Sequence, residues 1–166
     1  KAIGWRRGNW QTIGVIIALV GVMLVGVTGT VTALGDTLFP SSSLAQGLQQ
    51  DLNPTAHFLI QLRVIHPIVA VLTAGYIWLF ASLFHGAEGA ITGRLATALR
   101  LLVLVQLFAG GINILLLAPT WMQLLHLFIA DMVWITLVLY GASLLALETE
   151  ASPASFTSRG AVSSPA

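Results

Sequence analysis

Histidines are the residues best suited to chemistry in this sequence, and two of them share a local pattern. One begins the segment His66-Pro-Ile-Val-Ala70 and the other begins His126-Leu-Phe-Ile-Ala130. The sequence has four histidines and no cysteine in 166 residues. The lack of cysteine excludes disulfides, thiolate metal sites and a cysteine nucleophile. Metal binding by this chain would therefore depend on imidazole and carboxylate groups.

His66 and His126 both lie inside long apolar runs, at matching depths. Counted from membrane entry points near Ile60 and Trp121, both imidazoles are about 8–9 Å below the same surface. Two histidines at equal depth on different helices of a bundle can ligate one haem iron from opposite sides. The alternative is that each histidine only hydrogen-bonds a neighbouring helix. The matched pair favours haem ligation, since polar groups at this depth are costly and usually functional.

Arg63 is expected to support such a haem. It precedes His66 by three residues, so it lies on the same helix face, one turn nearer the membrane surface. A guanidinium there is suited to bidentate pairing with a haem propionate. The alternative is that Arg63 extends to the lipid headgroups. His57 is out of phase with His66, and His85 is at the other end of the same helix, so both are predicted to be interfacial. The sequence therefore predicts one haem iron.

Asp131 is the acidic residue inside a predicted span. Reflection of the third predicted helix through a turn near Pro119 places Gln106 at its depth. An Asp131–Gln106 hydrogen bond is the expected outcome, with a proton relay as the alternative. The same reflection brings Asn113 close to His126 as a supporting hydrogen-bond partner.

Four runs are long and apolar enough to cross a bilayer, which takes about 20 residues each. The sequence predicts an all-α integral membrane four-helix bundle, followed by a disordered cytoplasmic tail at 148–166 that is rich in Ser, Ala and Pro. Glycines on the first and third spans would permit close packing of helices or of haem. The expected spans are about 12–34, 56–84, 95–117 and 121–147.

Charge supports a membrane location and indicates an orientation. The sequence is 57% hydrophobic and 8% charged, whereas a soluble domain has about 25% charged residues. A net charge of +1 gives no basic surface for nucleic acid. The loop 35–54 contains no Lys or Arg, and the basic residues cluster on the opposite side. The positive-inside rule predicts a multi-pass plasma-membrane protein with both termini cytoplasmic and this loop outside.

Three segments of the chain resemble the haem A synthase family. They are the region around His66-Pro, Val27-Thr-Gly-Thr-Val-Thr, and Gly110-Gly-Ile-Asn-Ile-Leu-Leu-Leu-Ala-Pro-Thr-Trp-Met-Gln-Leu-Leu-His126-Leu. That family has eight spanning helices in two related four-helix halves, and this chain is similar to the second half. The resemblance implies that His66 and His126 hold haem b. In the first half, haem O is oxidised to haem A, and a glutamate stands at the position corresponding to Arg63.

The resemblance implies the cofactor half of an oxidoreductase that passes electrons to a second four-helix half or another membrane subunit. Because Arg63 replaces the family's glutamate, catalytic residues cannot be assigned from the resemblance. Two alternatives stay open: a free-standing four-helix cytochrome b that carries electrons, and a haem-free structural subunit of a membrane complex. In each case the lipid bilayer is the surrounding partner.

Overall fold

The computed structural model describes residues 7–84 and 89–150, with side chains described for 10–84 and 89–146. Within these ranges the regular structure is helical throughout, and four segments are long and apolar enough to span a membrane. The predicted all-α, four-span membrane fold is confirmed. The helices are α1 (Arg7–Leu38), α2 (Leu44–Asp51), α3 (Phe58–Leu62), α4 (Ile65–Leu83), α5 (Ala90–Leu115) and α6 (Thr120–Glu150).

The second span differs from the uninterrupted helix expected from the sequence. It consists of α3 and α4, which are separated by Arg63 and Val64. Pro67 accounts for the break, because it has no N–H to donate to the carbonyl of Arg63 four residues earlier. The backbone N–H of Arg63 donates to the carbonyl of Ile60, three residues earlier, at 3.1 Å. Arg63 and Val64 keep right-handed helical φ and ψ, so α4 continues the direction of α3 and Arg63 stays one turn before His66.

The loop 35–54 and the ends of the first and fourth spans also differ from the predicted boundaries. A short helix, α2, lies in the loop, and the side chain of Ser43 caps it by accepting from the Gln46 N–H at 3.2 Å. Helix α1 extends to Leu38, and α6 continues to Glu150, beyond the expected start of the tail at 148. His85 and residues 151–166 lie outside the described residues.

The four spans form a bundle with a simple cyclic order. Helix α1 packs against α4 and α6, and α5 packs against the same two helices. Helices α4 and α6 therefore lie at opposite corners of the bundle. Since His66 is on α4 and His126 is on α6, the two histidines are on diagonally related helices.

The tightly packed apolar core occupies the half of the bundle away from the histidines. Its members come from one end of each span and include five fully buried large side chains: Ile77, Leu99, Leu137, Tyr140 and Leu144. Gly14 and Gly141 permit this packing, because an added Cβ would overlap Phe80 and Val15 respectively. The closed end holds the helices together and fixes the relative positions of their other ends.

Candidate haem site

The His66 ring lies against α1 at Thr28 and Gly29. Its Nδ1 is 3.2 Å from Thr28 Oγ1. A Cβ added to Gly29 would be 3.0 Å from His66 Cε1, so glycine is what lets the imidazole lie against this helix. The imidazole is half-buried, and its edge is held by α1.

The His126 ring has a corresponding position against α5. A Cβ added to Gly110 would be 3.1 Å from His126 Cε1. The Gln106 amide nitrogen is 3.2 Å from His126 Nε2, whereas His126 Nδ1 is buried without a hydrogen-bond partner among the described residues. Each histidine thus lies on a glycine of the preceding span, and this extends the sequence repeat that relates the two histidines.

The two imidazoles project from helices at opposite corners of the bundle, at the end away from the apolar core. A haem supplies four nitrogen ligands to its own iron, so one or two imidazoles would be enough to hold it. Among the described residues no group of three or more His, Asp or Glu side chains could hold a metal ion by itself. This donor set fits a haem iron better than a bare metal ion.

Several polar atoms near the histidines are buried without a hydrogen-bond partner in the described part of the chain. They are Thr32 Oγ1, Gln106 Oε1, Asn113 Oδ1 and His126 Nδ1. Unpaired polar groups are costly inside a membrane, so such atoms usually mark a place where a polar ligand or water binds. Thr32 is three residues after Gly29, and Asn113 is three residues after Gly110. Each of these two unpartnered oxygens thus lies one turn beyond the glycine of its own helix.

Arg63 is buried at the loop end of the bundle, where it joins α1 and α2 to the second span. Its Nη1 donates to Asp36 Oδ1 at 2.9 Å, and its Nη2 donates to Gln50 Oε1 at 3.1 Å. Its Nε is 3.2 Å from Asp51 Oδ1. Arg63 therefore lies within the protein and holds the loop helix. Contact with a haem propionate stays a prediction.

Burial dominates the electrostatics of this ion-pair cluster at Asp51. Burial raises the pKa of the Asp51 carboxyl above its usual range, and the nearby Asp36 charge raises it further. The Arg63 guanidinium lowers the same pKa but does not reverse the effect of burial. The ion pair and the raised pKa together indicate that the fold holds the Asp51 carboxylate beside Arg63, although burial disfavours its charged form.

The predicted hydrogen-bond partners, Gln106 for Asp131 and Asn113 for His126, are wrong. Asp131 is exposed on the outside of the bundle, and Gln106 contacts His126 instead. The reason for Asp131 is its face: it is five residues after His126, about 140° around α6, so it points away from the surface that contacts α5. Gly110 lies beside His126, which puts the mirror point between the two helices at residue 118, about one residue before Pro119. Asn113 therefore lies one turn nearer the connection between α5 and α6 than Gly110 does.

His57 lies at the loop end, as an exposed N-cap residue of α3. Its Nδ1 accepts from the Leu59 N–H at 3.3 Å, and its ring packs beside Phe39 at 5.0 Å between centroids. Thr28 was not identified as a site residue from the sequence. The signal that could have found it is its place in Val27-Thr-Gly-Thr-Val-Thr, directly before the glycine that contacts His66.

Comparison with known proteins finds a matching family and related sequences. Residues 6–138 match the family model COX15-CtaA, described as cytochrome oxidase assembly protein. The relatives include proteins named protoheme IX farnesyltransferase from two strains of Thermus thermophilus, each 42% identical over 135 residues. These matches cover 80% of this chain and 22% of each relative, so the chain spans about a fifth of their length. No solved structure matches. The chain belongs to the COX15-CtaA family of cytochrome oxidase assembly proteins, the haem A synthase family.

Proposed function

We propose that this chain holds one haem b between His66 and His126, as the electron-transferring half of a haem A synthase-like oxidoreductase. The observation that carries the proposal is the pair of imidazoles on diagonal helices, each lying on a glycine of the preceding span. The bound haem supplies one-electron redox chemistry at its iron. His66 and His126 would hold the iron, and the glycine surfaces and the low-dielectric bundle interior would surround the haem.

The residues near the site support electron transfer rather than oxidation of a haem substituent. Oxidation of a haem methyl group needs a side chain that manages protons beside the reacting carbon. Arg63 stands three residues before His66, and its guanidinium is paired with Asp36 and Asp51. Asp131 is exposed on the outer surface of α6. We therefore assign the oxidation to a second four-helix half or another membrane subunit.

A free-standing cytochrome b is the second candidate. It is favoured by the same observation that argues against catalysis here, namely the lack of an acidic residue beside His66 among the described residues. The two functions differ in what the haem reduces. In the first, electrons pass to a second haem in the partner half. In the second, they pass to a separate carrier.

The same proposal includes an orientation in the cell membrane. The loop 35–54, with α2 and the Arg63 cluster, is placed outside the cytoplasm because it has no Lys or Arg. A cysteine introduced at Ser42, which is exposed, should react with an impermeant maleimide added to intact cells. Labelling that requires lysis of the cells would contradict this orientation.

An absorption spectrum of the purified chain tests the haem proposal. The wild-type chain should show a Soret band and the α and β bands of a low-spin b-type haem. His66→Ala and His126→Ala should each lose the low-spin bands, because each removes one axial ligand. His57→Ala is the matched control and should keep them, since His57 caps α3 at the loop end. A wild-type chain without a Soret band would favour the haem-free structural subunit.

A further inference from the structure

Thr28 makes three contacts that together determine how the His66 imidazole is presented. Its Oγ1 is 2.9 Å from the Leu24 carbonyl oxygen and 3.1 Å from the Val25 carbonyl oxygen. The same Oγ1 is 3.2 Å from His66 Nδ1. Because α1 is an uninterrupted helix at this point, the hydroxyl is fixed relative to the backbone.

These contacts give the hydrogen bond a direction. A threonine hydroxyl has one proton to donate. The two carbonyl oxygens can only accept, so that proton points along α1 toward Leu24 and Val25. The lone pairs of Oγ1 are then left for His66, which makes His66 Nδ1 the donor.

A neutral imidazole with its proton on Nδ1 has its lone pair on Nε2. We propose that Thr28 is a positioning residue that holds His66 in this tautomer, which leaves the Nε2 lone pair to bind the iron. This inference rests on the proposed haem function for its role. The tautomer itself follows from the contacts among Thr28, Leu24 and His66.

His126 provides an internal contrast. Its Nδ1 has no hydrogen-bond partner in the described part of the chain, and its Nε2 contacts the Gln106 amide. No hydroxyl in the described part of the chain contacts His126 Nδ1, because Ala109 takes the place before Gly110 that Thr28 takes before Gly29. The two histidines are thus held by different groups, His66 by a hydroxyl at Nδ1 and His126 by an amide at Nε2.

The first test uses the haem-free chain in detergent micelles with ¹⁵N-labelled histidine. Nitrogen chemical shifts distinguish an Nδ1–H from an Nε2–H imidazole. We expect His66 to be Nδ1–H in the wild type and in Thr28→Ser, and to become a mixture of tautomers in Thr28→Val. Thr30→Val is the matched control, because Thr30 is exposed and donates to the Gly26 carbonyl instead. An Nε2–H tautomer of His66 in the wild type would overturn the inference.

The second test measures the rate of haem loss to an excess of a haem-scavenging protein. Loss of a hydrogen-bond partner of a metal ligand costs about 10–100-fold in affinity. We expect about tenfold faster loss from Thr28→Val, at the low end of that range, because Gly29 still lies against the His66 ring. Thr28→Ser and Thr30→Val should match the wild type. Equal rates for Thr28→Val and Thr30→Val would overturn the inference while leaving the haem proposal intact.

The two tests separate the two claims. A wild-type chain that binds no haem overturns the proposed function, and the nitrogen shifts still decide whether Thr28 orients His66. A wild-type chain with low-spin haem and an Nδ1–H His66 that shifts in Thr28→Val supports both.

Discussion

The glycines under the two histidines allow a prediction with a defined magnitude. Gly29→Ala would place a Cβ 3.0 Å from His66 Cε1, and Gly110→Ala would place one 3.1 Å from His126 Cε1. At these distances the imidazole must move by a few tenths of an ångström. Each ring is already held on another side, by Thr28 and by Gln106 respectively. The displacement is therefore expected to move the imidazole nitrogen that would bind the iron.

The cost of such overpacking is about 1–3 kcal/mol. At about 1.4 kcal/mol per factor of ten, this corresponds to a haem affinity lower by about fivefold to a hundredfold. Helix propensity acts in the opposite direction, since alanine is favoured over glycine in a helix by about 0.5–1 kcal/mol. The two variants should therefore bind haem more weakly without unfolding more easily.

Two neighbouring glycines serve as controls. Gly26 is on the same helix as Gly29, and Gly111 is adjacent to Gly110, yet a Cβ added to either would meet nothing within 4 Å. Haem titration followed at the Soret band measures affinity, and thermal unfolding of the haem-free chain measures folding. Gly26→Ala and Gly111→Ala should bind haem as the wild type does. If Gly110→Ala and Gly111→Ala bound haem equally well, the proposed role of the contact between His126 and Gly110 of α5 would be wrong.

Three further predictions concern the charged cluster and the reaction. Arg63→Leu should leave haem bound but lower its reduction potential, because a nearby positive charge favours the reduced iron; an unchanged potential in redox titration would contradict a propionate contact. For Asp51, the raised pKa in the folded state contributes stability below about pH 4 that is lost as the pH rises through the folded pKa. The thermal stability of Asp51→Asn relative to wild type should thus increase with pH; a decrease would contradict this sign. Finally, the isolated chain supplied with haem O, oxygen and a reductant should form no haem A by chromatography; formation that His126→Ala abolishes would refute the assigned division of labour.

The sequence predicted those features that depend on local composition. The four spans follow from apolar runs of sufficient length, and their number is confirmed. The family resemblance is confirmed as well, over residues 6–138. The equal depth of His66 and His126 was counted along the chain, because depth in a membrane is set by distance from a helix end, and it stays a prediction. These signals need no knowledge of how the helices pack.

Features that depend on contacts between distant segments were missed. The Asp131–Gln106 pairing failed because Asp131 lies about 140° around α6 from His126, and Gln106 contacts His126 instead. The ion pairs of Arg63 with Asp36 and Asp51 could not be predicted, since they require α1 and α2 to meet at the break in the second span. Hydropathy does not detect an eight-residue helix of this kind in a polar loop.

The measurement that most directly tests the central claim is low-temperature electron paramagnetic resonance of the oxidised, purified chain, combined with haem quantitation. Ligation by two imidazoles predicts a low-spin ferric signal that accounts for one haem b per chain. His66→Ala and His126→Ala should each convert that signal to high spin or abolish it. A high-spin signal in the wild type, or a low-spin signal that survives both substitutions, would contradict haem ligation by His66 and His126.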